Sequence, residues 1–294
     1  MSKFLVQIHL RMCVSMKKLI LVSVIILLFI MCFTVSANEA EQQLQRYPVS
    51  VYLDGEAMNI NSFLCQNVAY ADMEAFCKAS DSNTNVIWDM QSGIFDACSD
   101  KTWVNLSISS DYLTSNGRYL YLDCAPQIVD GKLYIPVRTL AKIYCQYINW
   151  NEIAECVELI STGEVLENGA TYYNSDDLYW LSRIISAESR EESLLGKIAV
   201  GNVVMNRVCS PSYPDTIYGV IFDHRFGVQF TPSVNNTIYK NPTEESVVAA
   251  KICLEGYSVT ANAIYFLNKK TATSNWIVNN RTFLQTIGNH SFYS

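Results

Sequence analysis

The sequence predicts an α+β protein built from two parts. The chain has 294 residues, half of them hydrophobic, which is enough for two modest domains. In the N-terminal half, a unit of turn, short helix and tryptophan-bearing strand occurs twice. In the C-terminal half, apolar residues recur at spacings of three and four along two consecutive runs, which is typical of amphipathic helices. We therefore expect a small α+β repeat domain, followed by a mainly helical domain with a small sheet.

The chain begins with a segment typical of export signals. Two lysines precede an apolar run at residues 19–35, and a pattern of small residues ends at Ala37. We expect residues 1–37 to be a signal peptide, and Met16 is a candidate for the true start. An uncleaved membrane anchor is the alternative, because the apolar run is barely long enough to span a bilayer. The protein is accordingly expected to be exported.

The charge of the remaining chain argues against a nucleic acid partner. Loss of the segment would remove four basic residues and no acid, so the formal net charge would fall from −7 to −11. A glycan read by aromatic rings and hydrogen bonds is compatible with this charge, and the chain has 18 tyrosines.

Eight of the ten cysteines lie beyond Ala37, an even number in an exported chain. A disulfide between Cys209 and Cys253 is one hypothesis, and buried thiols are the alternative. No Cys-x-x-Cys pair occurs, so a structural zinc site is not expected.

Residues 47–160 are expected to form the repeat domain. Asp54-Gly55 and Asp130-Gly131 suggest hairpin turns before each unit, and residues 102–108 and 132–137 alternate as strands do. Residues 161–176 are expected to be a linker, in which Ser175 or Asp176 would cap the next helix.

The second unit resembles the N-terminal domain of copper amine oxidases. The matching residues are Asp130–Arg138 and Trp150-Asn151, and Ile135–Arg138 corresponds to the Val-Pro-x-Arg core of that family. The family name implies no copper chemistry here, because residues 47–160 contain no histidine. The resemblance implies a spacer or a wall-binding module, and a plain stabilising domain is the alternative.

Glu188 is the candidate catalytic residue of the C-terminal part. It lies one turn beyond Ile184, at the edge of a predicted buried helical face, where partial desolvation would raise its pKa. A carboxyl that stays protonated near neutral pH can act as the general acid that cleaves a glycosidic bond. The alternative is a solvated surface glutamate, and the neighbouring Glu191 and Glu192 are interpreted in that way.

Residues 177–294 resemble the SleB-type cell wall hydrolases, the spore cortex-lytic enzymes and their relatives. The matching motifs are, in chain order, Glu188–Glu192, Gly196, Ala199-Val200, Asn206-Arg207, Tyr213-Pro214, Thr216-Ile217, Val220–Phe222, Gln229–Pro232, Ala250, Gly256, Tyr265-Phe266, Asn268 and Ile287–Tyr293. Glu191 replaces a glycine of the family motif, so a left-handed turn at this position would be strained.

The resemblance implies a lysozyme-like domain that cleaves peptidoglycan glycan strands as a lytic transglycosylase. It implies that Glu188 is catalytic, and it places Gln229, Phe230, Tyr265 and His290 as candidate substrate-binding residues. No metal or other cofactor is expected, and the protein is expected to be a monomer. Action on the spore cortex and action on the vegetative wall both remain open.

Two other functions remain as alternatives: an N-acetylmuramoyl-L-alanine amidase and a non-catalytic wall-binding protein. A zinc amidase needs about three protein ligands, typically including two or more histidines, and the only histidines beyond Ala37 are His224 and His290. A cysteine peptidase would use Cys253, which lies in an apolar helical run typical of a core.

Overall fold

The computed structural model describes residues 45–225, 227–272 and 274–294, and they form an α+β protein. The strands are β1 Tyr47–Pro48, β2 Ser50–Leu53, β3 Glu56–Ala57, β4 Ser62–Cys65, β5 Val68–Asp72, β6 Asn85–Asp89, β7 Ile94–Cys98, β8 Trp103–Ser107, β9 Tyr112–Ser115, β10 Arg118–Tyr121, β11 Gln127–Val129, β12 Lys132–Pro136, β13 Gln146–Asn151, β14 Cys156–Ser161, β15 Tyr265–Asn268, β16 Phe283–Ile287 and β17 His290–Tyr293. The α-helices are α1 Met73–Ser80, α2 Val137–Ile143, α3 Gly169–Tyr172, α4 Ser175–Ser189, α5 Leu194–Val208, α6 Ile217–Ile221, α7 Glu244–Leu254 and α8 Trp276–Asn280. Two 3₁₀ turns, Thr231–Ser233 and Thr237–Tyr239, precede α7.

The predicted signal peptide, residues 1–37, lies outside the described residues. Within those residues, no helix is both long enough and apolar enough to cross a membrane.

The N-terminal part contains three sheets around one core. Their strand orders are β1-β4-β5-β12-β11, β10-β9-β8-β7-β6 and β13-β14-β2-β3. Neighbouring strands run antiparallel, except that β14 and β2 are parallel. The apolar sides of these sheets and the helices α1 and α2 bury Phe76, Phe95, Leu140 and Ile143 completely. Along these strands, buried and exposed residues alternate. This alternation is the reason that strands could be predicted from the sequence.

The internal repeat is present in the structure. Strand β5, helix α1 and strand β6 form the first unit, and β12, α2 and β13 form the second. Asp130-Gly131 is a left-handed two-residue turn, with φ angles of 49° and 76°, before the second unit. Asp54-Gly55 is also such a turn, but it joins β2 to β3. The turn that precedes the first unit is Gln66-Asn67, with φ angles of 51° and 60°. The predicted equivalence of the two Asp-Gly turns was therefore wrong, since asparagine tolerates the left-handed region as well.

Residues 47–160, expressed alone, are expected to fold without metal, because they contain their own buried core and no histidine. A cooperative thermal transition that one equivalent of copper does not shift would meet this expectation. Stoichiometric copper binding with a raised melting temperature would contradict it.

The C-terminal part packs the helices α4, α5 and α7 against one another and against a small sheet of order β15-β17-β16. The predicted stripe on α4 is present, because Leu181, Ile184 and Ile185 are fully buried. The cap of α4 differs from the prediction. Asn174 Oδ1 accepts hydrogen bonds from the backbone N–H groups of Asp176 and Asp177, so the helix begins one residue earlier than either predicted cap allows.

The two parts contact each other directly. The guanidinium of Arg118, on β10, donates two hydrogen bonds to the Glu255 carboxylate at the end of α7, at 2.8 and 2.7 Å. Tyr173 Oη donates a third to the same carboxylate, at 2.8 Å. The rings of Tyr121 and Tyr257 stack with their centroids 4.3 Å apart. The segment predicted to be a linker therefore contains the short helix α3, and it leads into the interface between the two parts.

The hypothesis of a Cys209–Cys253 disulfide was wrong, because both residues are free thiols. Cys253 is buried against the middle of α5, where its sulfur contacts Asn202 Nδ2 at 3.6 Å. Cys209 is exposed at the end of the same helix. About two turns of helix separate Asn202 from Cys209, a rise of roughly 10 Å, which a disulfide cannot bridge.

Candidate active site

A cleft of about 1280 Å³ runs across the C-terminal part. It is lined by Glu188, Ser189, Arg190, Glu191, Glu192, Arg207, Ser212, Tyr213, Val228, Gln229, Thr231, Ile264, Tyr265, Phe266, Leu267, Asn268, Thr271, Trp276, Ile277, Arg281, Asn289 and His290. These residues come from the end of α4, the elbow after it, α5, the loops at residues 212–213 and 228–231, β15, α8 and the β16–β17 hairpin. The cleft is therefore a product of tertiary packing and is not contained in any one motif.

Glu188 lies on the last turn of α4, partly buried, with its carboxyl at the cleft wall. Burial raises the pKa of this carboxyl to about 7, and no other cause contributes. Within the described residues, no hydrogen bond or ion pair engages the carboxyl. A desolvated acid with no cationic partner stays protonated near neutral pH, which is the state that a general acid requires.

The elbow between α4 and α5 forms without left-handed backbone at Glu191, so the predicted strain is absent. The N–H of Glu192 donates to Ser189 O at 3.0 Å, and Ser193 Oγ caps α5 by accepting from Gly196 N. The side chain of Lys197, which is 3% exposed, donates to Glu192 O and to Glu245 Oε2. This buried lysine ties the elbow to α7.

Glu192 is not the solvated surface residue that the sequence suggested, because its side chain is only 8% exposed. Its carboxylate accepts hydrogen bonds from the backbone N–H of Asn289, at 3.2 Å, and from Asn289 Nδ2, at 2.9 Å. His290 Nδ1 lies 3.7 Å from Glu192 Oε1. A Cβ at Gly288 would overlap Glu192 Oε2, and Gly288 has a φ of 57°, so a glycine is required there for two reasons. We refer to these contacts of Glu192 with residues 288–290 as the Glu192 clamp.

Three of the four predicted substrate-binding residues line the cleft together with Glu188: Gln229, Tyr265 and His290. His290 is 8% exposed, and burial lowers the pKa of its imidazole although the Glu192 charge acts in the opposite direction. Tyr265 Oη accepts a hydrogen bond from Arg281 at 2.9 Å. The structure does not bring Phe230 to the cleft wall. Its ring is 1% exposed and packs in the core, 6.4 Å from the ring of Phe266.

Arg207 lies at the cleft wall in the middle of three aromatic rings. Its Cζ atom is 5.0 Å from the ring centroids of Tyr213 and Phe230 and 5.7 Å from that of Tyr265. Its Nε donates to Ile264 O at 2.8 Å, which fixes the guanidinium against the strand β15. Asn206, the preceding residue, instead holds the loop before β15 through Thr260 O and Ala263 O.

Asp215 and Asp223, the first two aspartates after the motif in sequence, do not line the cleft. Asp215 is exposed. Asp223 is buried and accepts hydrogen bonds from Arg225, which hold the pKa of this carboxyl at about 2. Exposed His224 also lies outside the lining, so it does not share the cleft with His290. The described residues contain no cluster of three or more potential metal ligands of the His, Cys, Asp or Glu type.

Sequence reasoning missed the roles of Glu192, Arg207, Trp276 and Arg281 in forming the cleft. The glycine at position 288 was the available signal for Glu192, because a glycine next to a polar hairpin often marks a close approach. Arg207 was quoted only as part of a motif, and nothing local in the sequence shows that its side chain is buried.

Comparison with known families decides what this cleft belongs to. Residues 191–293 match the family described as Cell Wall Hydrolase. The chain carries a cell wall hydrolase domain. Residues 52–159 match the copper amine oxidase N-terminal domain. The match to the cell wall hydrolase domain begins at residue 191, so Glu188 lies three positions outside it.

Relatives of the cell wall hydrolase domain include spore cortex-lytic enzymes. One from Bacillus cereus is 39% identical over 120 residues, which cover 41% of this chain and 45% of the relative. One from Bacillus subtilis is 32% identical over 120 residues, covering 41% of this chain and 38% of the relative. The match therefore spans less than half the length of these curated relatives. The solved catalytic domain of the germination-specific lytic transglycosylase SleB from Bacillus anthracis is 38% identical and covers 44% of this chain and 100% of that chain, with a TM-score of 0.39.

Proposed function

We propose that this protein cleaves the glycosidic bond between N-acetylmuramic acid and N-acetylglucosamine in peptidoglycan, as a lytic transglycosylase with Glu188 as its acid and base. One observation carries the proposal: Glu188 is a partly buried carboxyl with a pKa of about 7, it has no charged partner in the described residues, and it lies on a cleft of about 1280 Å³. The names of the curated relatives, spore cortex-lytic enzymes, support peptidoglycan as the substrate.

The mechanism needs one titratable group. Protonated Glu188 donates its proton to the glycosidic oxygen, the bond from that oxygen to the muramoyl C1 breaks, and an oxocarbenium-like centre develops at C1. The muramoyl 6-hydroxyl oxygen then attacks C1, and the Glu188 carboxylate accepts the hydroxyl proton. The step consumes no water and leaves a 1,6-anhydro ring. Attack within the same sugar is favoured over attack by water because of its high effective molarity.

The same proposal includes the domain organisation and the setting. We propose a lysozyme-like catalytic domain at residues 177–294, a repeat domain at residues 47–160 and a connection at residues 161–176. The described cleft residues favour glycan strands as the partner, because Tyr265 and Trp276 present aromatic rings to the cleft beside polar Gln229. Remodelling of the cell wall or the spore cortex by an exported monomer fits this activity.

Digestion of purified peptidoglycan tests the reaction. We expect anhydromuramoyl products whose new ends borohydride cannot reduce, and we expect treatment with a chelator to leave the activity unchanged. Mass analysis of the digest, before and after borohydride reduction, measures both. A peptidoglycan sample cut by a known muramidase serves as the control, since its new ends are reduced to muramitol.

Two other results would contradict the proposal in different ways. Muramitol ends would show hydrolysis, and Glu192, whose carboxylate lines the cleft, would then be the candidate second carboxylate. New ends on stem peptides alone would show an amidase, and the role assigned to Glu188 would be wrong.

A further inference from the structure

The guanidinium of Arg207 is a buried cation that the described residues leave without an anionic partner. The residue is 4% exposed, and its Nη1 atom is buried without any hydrogen-bond partner in the described part of the chain. Nε has a neutral acceptor, Ile264 O. Burying a charge without a counter-charge is costly, so such a group normally has a partner that arrives from elsewhere.

The acidic residue whose charge acts on Arg207 is Asp223, and Arg225 already engages it. The backbone N–H and Nε of Arg225 donate to Asp223 Oδ1, and Nη2 of Arg225 donates to Asp223 Oδ2. The three aromatic rings around Arg207 stabilise the cation while the cleft is empty, but a ring face supplies only a partial charge.

The position of the three rings shows from which side a ligand can reach Arg207. Tyr213 and Tyr265 line the cleft together with Arg207, whereas Phe230 lies behind them in the core. The guanidinium therefore lies between a core ring and the cleft, and Arg207 forms part of the cleft wall, so a ligand in the cleft lies next to it.

We propose that Arg207 binds a carboxylate of the substrate inside the cleft. The identity of the substrate as peptidoglycan rests on the function proposed above. A carboxylate supplies the negative charge that the buried guanidinium lacks, and its two oxygens match the parallel N–H groups of an arginine. Peptidoglycan offers two sources of this chemistry: the lactyl group of muramic acid where no peptide is attached, and the carboxyl groups of the stem peptides.

The other arginines of the cleft are less suited to this role. Arg190 is exposed and donates to Asn241 O, and Arg281 is exposed and donates to Tyr265 Oη. Water screens the charge of an exposed arginine, so a carboxylate gains less there than at Arg207.

Neutralising the substrate tests the proposal with the unmodified protein. Peptidoglycan is prepared in two forms, native and with its carboxyl groups converted to amides by carbodiimide and ammonia. We expect KM to be about 10- to 100-fold lower for the native form, the range expected for a hydrogen-bonded charge pair. Equal KM values for the two forms would overturn the proposal, whatever any variant shows.

The variants Arg207→Gln and Arg207→Lys then assign the effect to this residue. Arg207→Gln should raise KM on native peptidoglycan by about the same factor and have little further effect on the amidated form. Arg207→Lys keeps the charge and should retain part of the preference, and it serves in place of Arg207→Gln if that variant does not fold. Lys101→Gln, which removes an exposed charge from the N-terminal part, is the control and should leave KM unchanged.

If Arg207→Gln raised KM equally on the native and the amidated form, the proposal would be overturned. A fall in kcat with a shifted pH profile and an unchanged KM would overturn it as well. Native glycan stripped of stem peptides by an amidase distinguishes the two sources. If KM is still lower for this glycan than for its amidated form, the ligand is the lactyl carboxylate. If the difference in KM is lost, the ligand is a carboxyl group of the peptide. Product analysis is independent of these KM ratios, so a failure of the proposed reaction would be recognised separately from a failure of this binding site.

Discussion

Glu188→Gln is expected to abolish lysis of peptidoglycan while the protein still folds. The amide has nearly the volume of the carboxyl but cannot donate the proton, and loss of a general acid typically lowers the rate by about a hundredfold to ten-thousandfold. The release of soluble muropeptides from purified peptidoglycan measures the rate. Glu167→Gln, which changes an exposed glutamate that does not line the cleft, is the matched control and should keep most of the activity. A folded Glu188→Gln protein with near-normal lysis would remove Glu188 from the mechanism.

The same variant should be more stable than the unmodified protein at high pH. The folded-state pKa of Glu188 is raised to about 7 from the ordinary 4.5. The folded state thus holds this proton more tightly, and stability falls as the pH rises through this window. A difference of one between the folded and unfolded pKa values corresponds to about 1.4 kcal/mol of stability. The free energy of unfolding of Glu188→Gln should therefore exceed that of the unmodified protein by on the order of a few kcal/mol at pH 8. Below pH 4.5 it should gain nothing, because the carboxyl is then protonated in both states. Urea denaturation at pH 8 and at pH 4 measures the difference. The rate of lysis should fall above pH 7 for the same reason.

Glu255→Gln is expected to lower the free energy of unfolding by about 3–5 kcal/mol, because it leaves the Arg118 guanidinium buried beside a neutral group. The Glu255 side chain is 1% exposed and that of Arg118 is 10% exposed. Burial alone would raise the pKa of Glu255, but the hydrogen bonds from Arg118 and Tyr173 outweigh burial and lower it. A carboxylate at the end of a helix is also disfavoured by the helix dipole, which makes the cations around Glu255 more important.

The midpoint of urea denaturation at pH 7 measures this loss. Glu74→Gln is the matched control, since Glu74 and Lys78 form an exposed pair on one helix, 2.6 Å apart, and such pairs contribute about 0.3–0.5 kcal/mol. Because the pKa of Glu255 is lowered, its contribution is present above pH 4.5 and is lost as the pH falls through the folded-state value. The difference between Glu255→Gln and the unmodified protein should therefore shrink in acid. Equal stabilities at pH 7 would show that the pair contributes nothing.

The elements that the sequence predicted well are those determined by local patterns. The helices around Glu188 follow from apolar spacing, and the second repeat unit follows from Asp130-Gly131 and an alternating strand. The partly buried state of Glu188 was also predictable, because it depends on which face of its own helix is apolar.

The features that were not predictable depend on residues far apart in the chain. Glu192 looked solvated because the partner that buries its side chain, Asn289, lies 97 positions away. Arg118 and Glu255 are separated by 137 positions, so nothing in either local sequence indicates an ion pair. Phe230 and Gln229 are adjacent, and only tertiary packing directs one ring into the core and the other side chain to the cleft.

The Glu192 clamp has a consequence for the order in which the chain matures. Strand β17 is the middle strand of its sheet. Gly288 and Asn289, which directly precede this strand, are the residues that contact Glu192. A chain emerging from its N-terminus can fold the repeat domain and the helix bearing Glu188 while these residues are still being made. The clamp, His290 and one wall of the cleft are then still missing. The cleft is therefore complete only after residues 288–290 have been made, and chains stopped before them lack one of its walls.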